Sequence, residues 1–169
     1  MKDIKLRRLT KSDASQIARH ANNKKVWDNL RDFIPYPYHE KDASFFIELT
    51  LKESPQLTFG VLTESNDLCG VIGLVLQQDV YRLSAEIGYW IGEEYWGKGI
   101  VTKAIGLITT YGFEQLKLER IQAGVFDYNI ASMKALEKNG YSKEGVFRNS
   151  VLKNGQMYDE HRYAKLKND

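Results

Sequence analysis

Gly97, Lys98 and Gly99 stand where an apolar, strand-like run gives way to a helix-like one. Ile100, Ala104, Leu107, Ile108 and Tyr111 recur at helical spacing. One face of that helix can therefore pack, while the amides of its first turn, through Val101 and Thr102, are left without intrahelical acceptors. Glycines in the preceding turn let the backbone approach an anion closely, and Lys98 adds positive charge. Phosphate binding is the chemistry such a turn supports. Glu86 interrupts the apolar run before the turn, where a cleft carboxylate could take up a proton directly or through water. Asn129 and Ser132 are three residues apart at a second helix start, which brings them to one side of it.

Two standard phosphate motifs can be tested against this turn. The dinucleotide fingerprint G-x-G-x-x-G requires glycine at position 102, which is Thr102, and an acidic ribose ligand ending a later strand. Glu119 lies near the required spacing but precedes a strand. The nucleotide-hydrolysing motif fits Gly92, Gly97 and Lys98, but the position that must carry a magnesium-binding hydroxyl is Gly99, and Tyr95 and Trp96 crowd the loop. Neither motif is met.

Composition narrows the classes further. The 169 residues are 43% hydrophobic and 27% charged, as expected of one domain with a sizeable core, and the net charge of +2 comes from scattered residues of both signs. Nucleic-acid binding calls for a basic stripe or a known motif, and the sequence carries neither. Tyr89, Trp90, Tyr95 and Trp96 lack the basic groove that would make them a stacking platform. The amino-terminal MKDIKLRRLT has no apolar signal core and no stretch approaches a membrane span, so a cytoplasmic location without membrane association is expected. Cys69 is the one cysteine, in an apolar strand, and reads as a small core residue; His20, His39 and His161 make no zinc spacing. No metal is expected.

These residues must be positioned by a definite order of elements. Ile4, Leu6 and Leu9 make a first strand, and Thr10 with Asp13 makes a capping box that opens a helix ending near Ala21. A short helix covers residues 24–30. Pro35 and Pro37, interleaved with Phe33, Tyr36 and Tyr38, then break the chain before a helix from Glu40 through Glu53. Residues 57–63 and 68–78 form a hairpin, and Ala85–Ile91 is the strand before the glycine turn. Arg120–Phe126 is another strand, Asn129 caps a helix through Asn139, and Gly140 stops it. Ser142–Leu152 and Met157–Leu166 form a last hairpin through the turn-forming pair Asn154-Gly155. The order is neither a repeat nor a doubly wound array, and predicts an α+β domain with a mixed sheet.

The segment Glu94-Tyr95-Trp96-Gly97-Lys98-Gly99 resembles the acyl-CoA signature Q/R-x-x-G-x-G/A of the GNAT superfamily of N-acetyltransferases, with both glycines in place and Glu94 departing from the usual Gln or Arg. AEIGYWI before it and FDYNIASMKALEKNGY after it are similar to the ribosomal-protein N-terminal acetyltransferase branch. The resemblance runs from about Ile4 to Leu166 and implies a single N-acetyltransferase domain over residues 4–166. It also implies a strongly twisted, splayed mixed β-sheet flanked by helices, with acetyl-CoA as acetyl donor.

The same resemblance implies roles. Acetyl-CoA would be held by the backbone of Tyr89, Trp90 and Ile91, by the turn Gly97, Lys98, Gly99, Ile100, Val101 and Thr102, and by Asn129. The Ser132 hydroxyl would approach the cofactor sulfur and donate to the departing thiolate. Glu144, after the Asn-Gly-Tyr turn, and Glu86 are the carboxylates expected near the acceptor amine. The strand alternation puts Glu86 on the face opposite Tyr89 and Ile91. Phe33, Tyr36 and Tyr38 either anchor a connection over the core or line the acceptor pocket. The expected acceptor is a protein or peptide N-terminal α-amine, with a polyamine or aminoglycoside as the alternative, and a non-catalytic coenzyme A-binding protein as the rival class. The family's habits leave room for a homodimer.

Overall fold

A computed structural model describes residues 3–169 of the chain. The chain divides into two compact units, Met1–Gly73 with Tyr89–Ala104, and Leu74–Gly88 with Ile105–Asp169. Three elements have residues in both: β3 (Leu68–Leu76), β4 (Ser84–Ile91) and α4 (Ile100–Glu114).

In the first unit, β1 (Lys5–Arg7) is followed by α1 (Ala14–Ala21), α2 (Lys24–Trp27), α3 (Glu40–Leu51) and β2 (Thr58–Leu62). Its strands follow the order β1-β2-β3-β4. β1 and β2 are antiparallel, Lys5 opposite Leu62, and β2 and β3 are antiparallel with a register shift at Val61/Leu62. The capping box forms as the Thr10 and Asp13 types require, with Thr10 N–H donating to Asp13 Oδ2 at 2.7 Å, but it opens a 3-10 turn, Lys11–Asp13, before α1 begins. α2 ends at Trp27 and not near Leu30. Beyond it Asn29 N–H bonds Val26 O and Leu30 N–H bonds Trp27 O, three-residue closures that tighten the chain out of the α-helical register. Leu9, Ile17, Tyr38, Ile47, Leu68 and Val71 are buried together, with Trp90 packed against them.

β3 and β4 approach closely in this unit. A Cβ on Gly70 would lie 2.3 Å from Trp90 O and 3.0 Å from Ile91 Cα, both backbone atoms that cannot swing aside. Gly70→Ala is expected to destabilise the protein by about 2 kcal/mol, the scale of overpacking a tight site. Urea unfolding checks this through a lowered midpoint at unchanged slope; an unchanged midpoint would contradict so close an approach.

The second unit contains β5 (Arg120–Phe126), α5 (Ile130–Glu137), β6 (Ser142–Lys153) and β7 (Gln156–Leu166). Its strand order is β4-β5-β7-β6, so the sheet is mixed: β4 and β5 are parallel, Ala85 opposite Ile121, while β5 with β7 and β7 with β6 are antiparallel. The β6–β7 turn has positive φ at both Asn154 (50°) and Gly155 (75°), the geometry that pair of residues selects. Alternation along β5 buries Ile121, Ala123 and Val125. α4 continues to Glu114, three residues past Tyr111, and a Cβ on Gly112 would touch Ile121, Leu74 and Leu118. α5 ends at Glu137, Gly140 follows at φ 79°, and Lys165 Nζ donates to Asn139 O at 2.8 Å.

Candidate functional site

Gly97 and Gly99 both have positive φ, 72° and 73°, a region where a side chain costs energy. A Cβ built on either would meet no atom within 4 Å. The space beside the turn is therefore open, and the glycines are there for the backbone path and for access. Lys103 N–H closes onto Gly99 O at 3.2 Å, and the amides before it precede the helical ladder of α4. A helix start with two glycines and no Cβ in the way fits a pyrophosphate. β4 leads into this turn with Tyr89 and Trp90 half-buried and Ile91 buried.

Each residue between that strand and the glycines is fixed. Gly92 N–H bonds Cys69 O at 2.8 Å. Glu93 takes bonds from Asn23 and Lys25. Glu94 faces α1, 3.1 Å from Arg19 Nη2 and 3.4 Å from His20 Nδ1, so the carboxylate that replaces the family's Gln or Arg is engaged on the other side of the turn. The His20 ring packs edge-on to Tyr95, and Trp96 Nε1 donates to Ile91 O at 2.7 Å. Lys98 Nζ lies 5.3 Å from the Tyr95 ring and donates to Glu94 O at 2.7 Å. Burial pushes the His20 imidazole below its usual pKa, with Glu94 working against it.

In the second unit Asn129 Oδ1 accepts the Ser132 N–H at 3.2 Å, the N-cap bond its type favours, which fixes Ser132 in the first turn of α5. Glu86 lies across the sheet from β7, its Oε2 3.4 Å from Arg162 Nη2, and Arg162 also bonds Glu160 Oε1 at 3.1 Å. All three side chains are about four-fifths buried. Gly124 makes the network possible, since a Cβ there would sit 1.8 Å from Glu160 Oε1 and 2.6 Å from Arg162 Nη1. Glu144 is exposed and gripped by Arg120, with one bond at 2.8 Å and a second, shorter one. That guanidinium holds the Glu144 carboxyl below its usual range, which makes it a weaker proton acceptor. Sequence reasoning missed Arg120, Glu160 and Arg162, charged residues within the strands β5 and β7.

The three loop aromatics have different surroundings. Phe33 is 80% exposed, Tyr36 stacks against Trp27 with ring centroids 5.5 Å apart, and Tyr38 is buried in the core, where desolvation pushes its hydroxyl up to about 12. Cys69 is buried and its thiol raised to about 11 by desolvation, as a core thiol should be. Among the described residues there is no cluster of His, Cys, Asp and Glu that could hold a metal ion, and no helix is long and apolar enough to cross a membrane.

Comparison with known proteins places this geometry in a family. Residues 3–142 match the acetyltransferase (GNAT) domain. The chain is 39% identical over 119 residues to the probable N-acetyltransferase YjcK of Bacillus subtilis (strain 168), 70% of this chain and 65% of that protein. It thus spans about two thirds or less of the first curated relatives it matches, 58% of a second B. subtilis N-acetyltransferase. It is 30% identical over 159 residues to spermidine N(1)-acetyltransferase of Escherichia coli (strain K12), 90% of this chain and 80% of that protein. The crystal structure of ribosomal-protein-S5-alanine acetyltransferase from Vibrio fischeri superposes with a TM-score of 0.85, covering 100% of this chain and 98% of that one at 22% identity, a likeness of fold. By sequence match and fold alike, the chain belongs to the GNAT acetyltransferase domain family.

Proposed function

We propose that the protein is an acetyl-CoA-dependent N-acetyltransferase whose acceptor is a small primary amine of the polyamine class. The observation that carries the donor half is the pair of positive-φ glycines at the start of α4 with open space where side chains would be. In this reading, the backbone from Gly97 to Thr102 holds the pyrophosphate, with Lys98 adding charge, and the backbone of Tyr89, Trp90 and Ile91 and the Asn129 amide orient the pantetheine arm. The bound donor supplies a thioester already activated toward amines, so no covalent enzyme intermediate is needed. The Ser132 hydroxyl donates to the sulfur as the carbon–sulfur bond breaks, and the amine proton leaves to a carboxylate. Glu86 is favoured for that proton over Glu144. Glu144 is engaged by Arg120 through both oxygens, which holds its carboxyl below the usual range and makes it the weaker proton acceptor of the two.

The acceptor class is supported by the breadth of the match to a spermidine acetyltransferase, 90% of this chain. Phe33 and Tyr36 add exposed aromatic surface in the loop expected to border the acceptor, and such faces attract cations. A peptide α-amine is the second reading. It is favoured by the AEIGYWI and N-x-x-S resemblance and by the lower reference pKa of an α-amine, about 8 against about 10.4 for lysine. Turnover with polyamines, aminosugars, lysine peptides and matched free and N-blocked peptides, with mass spectrometry of every product, tests the choice. Polyamine acetylation at the highest kcat/KM is the expected result. Acetylation confined to free peptide α-amines would overturn the acceptor while keeping the reaction.

A further inference from the structure

Asn22 and Asn23 are neighbours whose side chains serve different loops. Asn22 Oδ1 accepts the Tyr38 N–H at 3.0 Å, at the end of the aromatic loop. Asn23 makes two kinds of bond at once. Its Oδ1 caps α2 by accepting from Lys25 N–H at 2.9 Å and Val26 N–H at 3.4 Å, while its Nδ2 donates to Glu93 Oε2 at 2.8 Å. Only one orientation of the amide satisfies both sets, since a flipped amide would face two N–H groups with its own donors.

Ser or Asp would cap α2 about as well as Asn does, and Thr somewhat less well. Among these only Asn carries a donor on a different atom from its capping oxygen, and here that Nδ2 reaches the carboxylate that opens the Glu93–Tyr95 turn. That turn is followed directly by Trp96 and the glycines. We infer that Asn23 is a positioning residue for acetyl-CoA, holding the 97–99 turn in its receptive path by fixing Glu93. A turn already ordered by Asn23 and Lys25 loses less conformational freedom when the pyrophosphate arrives, so the contact appears in donor affinity without any contact to the donor. This inference rests on the acetyltransferase reading above.

Asn23→Ser separates the two bonds, since it keeps a good cap while removing the Nδ2 donor, and the shorter hydroxyl is occupied as the capping oxygen. The expected result is an acetyl-CoA Kd about fivefold higher by calorimetry, with melting temperature and kcat at saturating donor unchanged. Asn23→Asp keeps the cap and sets a second carboxylate against Glu93, so its loss should be larger and should shrink with added salt. In a double-mutant cycle, Asn23→Ser should add nothing to Glu93→Gln if the two act as one unit. Wild-type affinity in Asn23→Ser overturns the role of Asn23, and so does a loss that tracks melting temperature and is no greater in Asn23→Asp. Absence of acetyl-CoA binding by the wild-type protein instead overturns the donor reading itself, and with it this one.

Discussion

Gly99→Val is expected to leave a folded protein that no longer binds acetyl-CoA measurably, a loss of at least about a hundredfold in affinity. Two effects add. At φ 73° a β-branched residue is a conformational outlier, so the turn will relax toward another path. Where the present Cβ position is open, the valine side chain would also fill the approach proposed for the phosphates. The strain itself costs on the order of 1–3 kcal/mol and falls on an exposed turn rather than the core, so unfolding of the whole chain is not expected. Calorimetric titration of a variant shown to be folded by circular dichroism is the check. Unchanged affinity would remove the turn from the donor site.

Ser132→Ala is expected to lower kcat about ten- to a hundredfold while changing the acetyl-CoA Kd less than about twofold, as when an oriented donor acts mainly on charge that develops in the transition state. The cap of α5 survives the change, because Asn129 Oδ1 accepts the backbone N–H of residue 132 and alanine retains it. Single-turnover rates with saturating donor separate the chemical step from product release. Equal rates for wild type and variant would take the hydroxyl out of the chemistry and leave donor binding as it stands.

Much of this molecule was legible in its residues, for reasons that differ by element. The glycine turn was legible because positive φ has few residue solutions, and 97 and 99 use the one with no Cβ. The last hairpin was legible because Asn154-Gly155 favours a two-residue turn with both φ values positive, and that sets the register beside the turn, Val151 to Lys153 against Tyr158 to Gln156. Asn129 and the Thr10–Asp13 box were legible because caps are local chemistry. The ion network around Glu86 was not. It depends on β7, the second strand of that hairpin, lying against β5, with Arg162 opposite Gly124, a pairing between segments far apart in the chain that no local signal specifies. The same holds for Arg120 and Glu144 and for the bond from Asn23 to Glu93, each between residues distant in sequence. The aromatic loop was legible as a break in helix, but Tyr38 entering the core while Phe33 stays exposed is decided by packing.

In the proposed reaction an acetyl group moves from coenzyme A to an amine. This transfer is tested most directly by incubating the protein with acetyl-CoA labelled in the acetyl group and a mixed panel of primary amines, then following free thiol and labelled product together. Protein-dependent release of one coenzyme A thiol for each acetyl group that appears on an amine nitrogen is expected, with spermidine-like amines labelled first and Ser132→Ala slowing both signals equally. Saturable acetyl-CoA binding with the label remaining on the thioester across the whole panel would contradict it, and would describe a coenzyme A-binding protein without transfer activity.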